Sequence, residues 1–497
     1  MPWSIGAWNG RWLQATWRPL TFQQTSIDDE LQVMTDKLNT LSATRLVELY
    51  RAKQVSPVEV AKATLAAIER HNPALNAYCL VDPEAAITAA QESEQRWSKG
   101  TPLGPVDGVP TSIKDLVLTK GWPTRRGSRL VDPNQPWTED APCVARLRES
   151  GAVLLGKTTT PEFGWKGVTD SPLMGITRNP WNPEMTTGGS SGGAAAAAAS
   201  HLGALHIGTD GGGSIRIPAS FSGIVGFKQS FGRVPAYPLS PFGTLANAGP
   251  MTRTVADAAL MLSVISRPDV RDWYALPPEH ASYHEHLGGG VRGLRIAYSP
   301  TLSGASVNPE VAASVANAAK LFADLGAKVE NVGVILGDSL KVFQDHWFPG
   351  AANALRAFNA EQRREIDPGL AYVAEQGAAL PLMDYLAAVK LREAMGQKMA
   401  ALHQKWDPLP TPTMPIPAFV AGRDFPADSD QAQWSDWTPF TYPFNLTRQP
   451  AISIPCGLTT TGLPIGLQIV GTIYDDLRVL RAARAFETVR PFRMLED

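Results

Sequence analysis

At 497 residues the chain can bury a large core, either as one α/β domain or as two to three smaller ones. Its 45 Lys and Arg against 47 Asp and Glu give a formal charge of −2, which excludes a bulk electrostatic pull toward nucleic acid or anionic membrane. Three cysteines, Cys79, Cys143 and Cys456, show no CxxC spacing, which argues against a disulfide framework or a zinc site and for reduced thiols in a cytoplasmic setting.

Residues 1–26 form a Trp-rich extension, with Trp3, Trp8, Trp12 and Trp17 beside Arg11 and Arg18. It lacks the continuous apolar stretch of a secretory signal, and packing on the body or an unstructured leader is expected over a membrane contact. Ser56-Pro57-Val58-Glu59 combines an N-cap serine, a proline at the first helical position and a capping-box glutamate. That helix is expected to reach about residue 70, stopping before Asn72-Pro73. Asp82-Pro83-Glu84 opens another helix by the same logic. Residues 106–113 read as a turn entering a strand, with Lys114 at its end. A lysine there is usually solvated, but Ile113 on one side and Leu116-Val117-Leu118 on the other favour burial, which would lower its pKa and make it a base. Residues 152–156 read as a buried strand, and the prolines of Asn179-Pro180-Trp181-Asn182-Pro183 as a loop.

Residues 188–216, GGSSGGAAAAAASHLGALHIGTDGGGSIR, set two glycine-flanked serine sites around an alanine run. Six alanines, 194–199, favour a helix of little bulk, with Ser190 and Ser191 at its N-terminus. Ala204-Leu205-His206-Ile207 suits a short buried strand. Gly211-Gly212-Gly213-Ser214 follows as a loop whose N–H groups can converge beside a hydroxyl, the pairing of nucleophile and oxyanion site that acyl transfer requires. Read from composition alone, the stretch fits either that chemistry or a Gly/Ser linker beside a plain helix.

Downstream, residues 255–265 are a helix candidate, and residues 268–290 are loop-rich with His280, His284 and His286. Without cysteines or a carboxylate pattern these histidines read as solvated, so no metal is expected. Residues 294–298, a helix capped by Asn308-Pro309-Glu310, and residues 327–332 make a β-α-β pattern that argues for a mostly parallel sheet. Residues 408–417 are extended. Residues 452–456 and 463–470 suggest a hairpin, and residues 475–489 close with a helix. No run approaches a membrane span.

The central stretch resembles the signature of the amidase signature family of serine hydrolases. The similarity continues through Pro218-Ala219-Ser220-Phe221-Ser222-Gly223-Ile224-Val225-Gly226-Phe227-Lys228 and upstream to Ser112-Ile113-Lys114-Asp115, with weaker matches at Gly156-Lys157-Thr158 and Pro443-Phe444-Asn445. The resemblance implies an α/β amidase signature fold, with a mixed, mostly parallel sheet covered by helices on both faces. It implies one domain over residues 27–497, with the signature core at about 105–260 and a variable, substrate-shaping region at about 268–440. By the family's pattern Ser214 is the nucleophile, Ser190 the bridging serine on a cis peptide bond, and Lys114 the general base. The N–H groups of Gly211, Gly212, Gly213 and Ser214 receive the oxyanion, and Ser191 orients Lys114. Asp210 and Arg216, which alone would read as a surface pair, become the ion pair that pins the loop. Ser222 stands where many relatives carry cysteine, and Gln229 where proline is common.

The implied reaction is hydrolysis of small-molecule amides, hydrophobic or aryl, extending to esters, anilides and carbamates (a urethanase activity). No cofactor, metal or nucleic acid takes part, and the chain acts as a monomer or homodimer. The rival within the family is the amidase subunit of a glutamyl/aspartyl-tRNA amidotransferase, which works with RNA-binding partners. GGSSG also satisfies G-x-S-x-G, but no strand precedes it as a hydrolase elbow needs, and no Gly-Lys-Ser/Thr follows to make a phosphate loop. Because every candidate catalytic residue lies beyond the Trp-rich extension, a chain beginning at Ser26 is expected to keep its turnover number on a small amide. A collapse in turnover with the fold preserved would show that the tryptophans help build the site.

Overall fold

Apolar residues on alternate positions of the strands build a sheet with two buried faces. In the strand Val153–Thr158, Val153 and Leu155 pack with Ala196 and Ala197, whereas Leu154 packs with Val144, Leu147 and Ala258 of other helices. The computed structural model describes residues 37–277, 282–427, 429 and 431–495. The Trp-rich extension and His280 lie outside them, and Leu38–Asp497 forms one unit. Its nine-stranded sheet contains β1 (Tyr78–Val81), β2 (Pro110–Lys114), β3 (Val153–Thr158), β4 (Leu205–Asp210), β5 (Val225–Lys228), β6 (Asn247–Thr252), β7 (Leu409–Pro412), β8 (Ala451–Leu458) and β9 (Pro464–Val470). Their order across the sheet is β1-β3-β2-β4-β6-β5-β8-β9-β7.

The α/β class, the mixed sheet and its flanking helices agree with the sequence, but the strand directions need a correction. Strand β2 runs parallel to both β3 and β4, and the other six neighbouring pairs are antiparallel. The β-α-β pattern after residue 294 does form: Arg295–Tyr298 pairs in parallel with Lys328–Asn331 across the helix Pro309–Asp324. It makes a separate two-stranded ribbon, so it says nothing of the main sheet's direction. Strands β8 and β9 form the expected hairpin, and such short connections produce antiparallel pairs.

Two local expectations also change. The helix opened by the Ser56 capping box runs over Pro57–Leu75, through Pro73, because its last turn is closed by Asn76 in the left-handed region (φ 52°) and by Asn72 Oδ1, which accepts the N–H groups of Ala77 and Tyr78. The Pro-rich loop before the signature pairs Arg178–Asn179 with Asn182–Thr186 as a small hairpin, with Pro183 in a two-stranded ribbon where few ladder bonds are demanded.

The alanine run becomes the helix Gly192–Ala199, buried on every side. Ala194, Ala195, Ala198 and Ala199 meet Ile215, Ala219 and Met251, while Ala196 and Ala197 meet Val153 and Leu155. A helix apolar all round belongs in a core, and methyl-sized side chains let it lie close to its neighbours. At Gly193 even a methyl is excluded: a Cβ would overlap Thr159 Oγ1, the Thr159 backbone N and the Ala77 carbonyl. Gly→Ala in an open helix stabilises by about 0.5–1 kcal/mol. Gly193→Ala is expected to reverse that sign and cost about 1–3 kcal/mol through overpacking, read as a lowered Tm.

Candidate active site

Lys114 ends β2 with its side chain fully buried. Its Nζ lies 2.7 Å from Ser190 Oγ, 2.8 Å from Ser191 Oγ and 3.0 Å from Thr209 Oγ1. Three hydroxyls could serve either an ammonium or a neutral amine, so charge decides between them. Among the described residues no carboxylate forms an ion pair with Lys114, and burial holds its pKa well below the ordinary 10.5, with Asp210 opposing the shift from a distance. Its lowered pKa favours the uncharged form over the ammonium.

The two serines enter from the N-terminal end of the alanine helix, with Ser191 at its N-cap position. The Gly189-Ser190 peptide bond is cis. Ser191 Oγ donates to the Thr209 carbonyl (3.1 Å) and accepts the Thr209 N–H (3.2 Å). With its proton committed there, Ser191 can only accept from Lys114, which makes it an orienting group. Ser191 N–H donates to the Ser214 carbonyl (3.1 Å), tying the two serine loops together. Ser190, Ser214, Thr209 and Gly211 line one cavity of about 570 Å³.

Asp210 and Arg216 are no surface pair: both side chains are fully buried. Arg216 grips the carboxylate with two N–H groups, Nε to Oδ2 and Nη2 to Oδ1, each at 2.9 Å. Its remaining donors reach the Thr441 carbonyl (2.9 Å), Gln468 Oε1 (2.8 Å) and Asn445 Oδ1 (2.6 Å). Asn445 Nδ2 returns a bond to Asp210 Oδ1 at 2.9 Å. The carboxylate also accepts the N–H groups of Gly213 (2.8 Å) and Ile215 (3.2 Å), which bends the loop carrying Ser214. The Gly213 N–H is therefore directed at Asp210, leaving Gly211, Gly212 and Ser214 as the donors nearest to hand for a substrate oxygen.

Sequence reasoning missed Thr209, Thr441 and Gln468 in this network. Thr209 directly precedes Asp210 in the strand entering the loop, which is the signal that could have found it. The cavity wall also differs from expectation. Apart from Asp272, Trp347, Asn353 and Ala354, its described lining comes from residues 116–248 and not from the region at 268–440. Five aromatic residues line it, Phe163, Phe231, Tyr237, Phe242 and Trp347, and Phe242 stacks on Trp347 with centroids 3.6 Å apart. Among the described residues no group of His, Cys, Asp or Glu could hold a metal ion, and no helix is long and apolar enough to cross a membrane.

The sequence profile of the family described as Amidase matches residues 59–480. The chain belongs to the amidase signature family. It is 39% identical over 462 residues to an acylamidase of Rhodococcus erythropolis, covering 92% of this chain and 96% of that one. It is 35% identical to a glutamyl-tRNA(Gln) amidotransferase subunit of Myxococcus xanthus, covering 92% and 98%. Among solved structures it resembles a bacterial aryl acylamidase of the amidase signature family, with a TM-score of 0.84 and 32% identity over 91% of this chain and 96% of that one.

Burial pushes the Asp210 carboxyl up, but the charge and hydrogen bonds of Arg216 outweigh it and bring the pKa down to about 2 from 3.8. A carboxylate with a depressed folded pKa contributes stability that is complete above the unfolded value and is lost as pH falls through the folded one. Asp210→Asn leaves Arg216 buried without its countercharge and is expected to cost about 3–5 kcal/mol at neutral pH. The gap in Tm between wild type and variant should narrow as pH falls from 3.8 toward 2. A gap that stays constant over that window would contradict the assigned pair.

Proposed function

We propose that the chain hydrolyses carboxylic amide bonds through an acyl-enzyme on Ser214, with Ser190 and neutral Lys114 carrying the proton. The observation that supports this most directly is the Lys114 amine, buried without an ion-pair partner among the described residues and 2.7 Å from Ser190 Oγ. Lys114 draws a proton from Ser190, Ser190 draws one from Ser214, and Ser214 Oγ attacks the carbonyl carbon. The developing oxyanion is received by the N–H groups of Gly211, Gly212 and Ser214. The same relay returns a proton to the leaving amine, and water then releases the acid. Ser191, Asp210 and Arg216 position these groups without meeting the substrate.

The aromatic cavity wall and the likeness to acylamidases favour hydrophobic and aryl amides, with anilides, esters and carbamates presenting the same electrophilic carbonyl. The amidotransferase reading rests on relatives such as the Myxococcus xanthus protein. It predicts glutamine hydrolysis that depends on partner subunits. The purified chain is expected instead to cleave aryl amides unaided and to leave glutamine largely intact; the opposite preference would favour the amidotransferase reading.

A neutral base gives activity that rises with pH through the lowered pKa of Lys114. Lys114→Ala is expected to reduce amide turnover by about 10²–10⁴-fold and flatten that limb. A matching ester should suffer less, because its leaving group needs less help from a proton. Lys114→Arg should not rescue, since a guanidinium stays protonated at usable pH. Near wild-type amide turnover in the arginine variant would eliminate the neutral-base mechanism.

A further inference from the structure

One charged group in the reacting cavity has no part in the proton relay. Arg126 lines the same cavity as Ser190 and Ser214 and is half-buried. Its backbone sits in the left-handed region, φ 57°, which is uncommon for a residue other than glycine. Two bonds fix that turn: Arg126 N–H donates to the Asp115 carbonyl (3.0 Å), and the Arg126 carbonyl accepts from Phe163 N–H (2.7 Å). Gly164, which follows Phe163, is so close to the serine that a Cβ on it would lie 3.3 Å from Ser190 Oγ. The turn bearing Arg126 is therefore packed directly against the reacting hydroxyls.

The cavity that Arg126 lines also takes apolar residues from nearby elements, Leu116, Val117, Leu118 and Phe163. Among the described residues no oxygen accepts a hydrogen bond from the Arg126 side chain, and no carboxylate forms an ion pair with it. Asp115, the carboxylate whose charge acts on Arg126, already accepts the N–H groups of Arg125 (3.2 Å) and Gly127 (3.3 Å), with Lys157 Nζ 3.9 Å away. The other charged lining residue, Asp272, accepts the N–H groups of Ala236 (2.9 Å) and Tyr274 (2.8 Å). Burial lowers the Arg126 pKa from its ordinary value, and Asp115 does not offset the whole effect. A half-buried cation without a partner is costly, and a guanidinium's planar fork matches a carboxylate.

We propose that Arg126 binds a carboxylate carried by the substrate, so that the preferred substrates are amides joining an apolar, aryl-sized body to an anionic group. The inference rests on the amide-hydrolase reading of the cavity and names its substrate class.

Two matched pairs test it: N-phenylsuccinamate against N-phenylbutanamide for a carboxylate on the acyl side, and 4-acetamidobenzoate against acetanilide for one on the amine side. The preference for a carboxylate is the ratio of the two kcat/KM values within a pair. In at least one pair it is expected to fall about tenfold or more in Arg126→Gln, mainly through KM, and to be partly kept in Arg126→Lys. Ratios that are the same in wild type and Arg126→Gln for both pairs would overturn the proposal. Calorimetric binding of the two carboxylates to Ser214→Ala, with and without Arg126→Gln, makes the comparison without turnover. If wild type hydrolyses none of the four amides yet Arg126→Gln weakens that binding about tenfold, the amidase reading fails and Arg126 keeps its role. Unchanged binding, or none at all, counts against Arg126.

Discussion

In the proposed relay, the constraint on which the rest of the site depends is a buried amine whose proton affinity is lowered. Lys114 has to lie where its proton affinity is low and a serine hydroxyl is within reach, and each neighbouring element serves one of those needs. Strand β2, third of the nine in the sheet, carries it between two parallel neighbours. The alanine helix brings Ser190 and Ser191 to it, and the positive end of a helix dipole disfavours a further positive charge there. Among the described residues Asp210 is the carboxylate whose field favours the protonated amine. The two-pronged grip of Arg216 neutralises that carboxylate while bending the loop that presents Ser214. In the proposed relay the ion pair both shields the Lys114 amine and shapes the loop that carries Ser214.

Burial alone does not make a lysine a base. Lys157 and Lys228 are equally buried, and burial brings them down to about 8 and about 7. Yet Lys157 donates to the Val117 carbonyl and Thr124 Oγ1, and Lys228 to the carbonyls of Gln229 and Gln449. Neither meets a serine that opens on the cavity. Lys166 goes the other way: three carboxylates, Asp170, Asp367 and Asp424, raise its pKa despite burial. What singles out Lys114 is the hydroxyl set around its nitrogen.

Much of this was legible in the sequence because it lies in contiguous, low-bulk residues. Glycines that would weaken an ordinary helix or strand make sense only where backbones must approach closely, so the GGSSGG and GGGS sites marked themselves. Partners brought together by tertiary folding left a fainter trace. Thr209 looked like any strand residue, and Asn445, more than 200 positions away from Asp210, showed only as part of the weak Pro443-Phe444-Asn445 match, with nothing to pair it with Asp210. Sheet direction was misread because the one β-α-β pattern visible in the chain belongs to a satellite ribbon. Pro73 was misread because side-chain capping by Asn72 lets the helix finish its turn beyond the proline. Arg126 stayed hidden, since a tandem arginine in a turn gives no hint of which side chain faces the cavity.

The central claim is the charge state of Lys114, and an NMR titration reads it directly. With ¹³C at the lysine ε position, the signal missing from Lys114→Met identifies Lys114 and separates it from Lys157 and Lys228, which also titrate low. The account predicts that this signal changes well below the ordinary lysine value of 10.5. A Lys114 that titrates with the surface lysines would be charged at working pH, and the neutral-base relay would be contradicted.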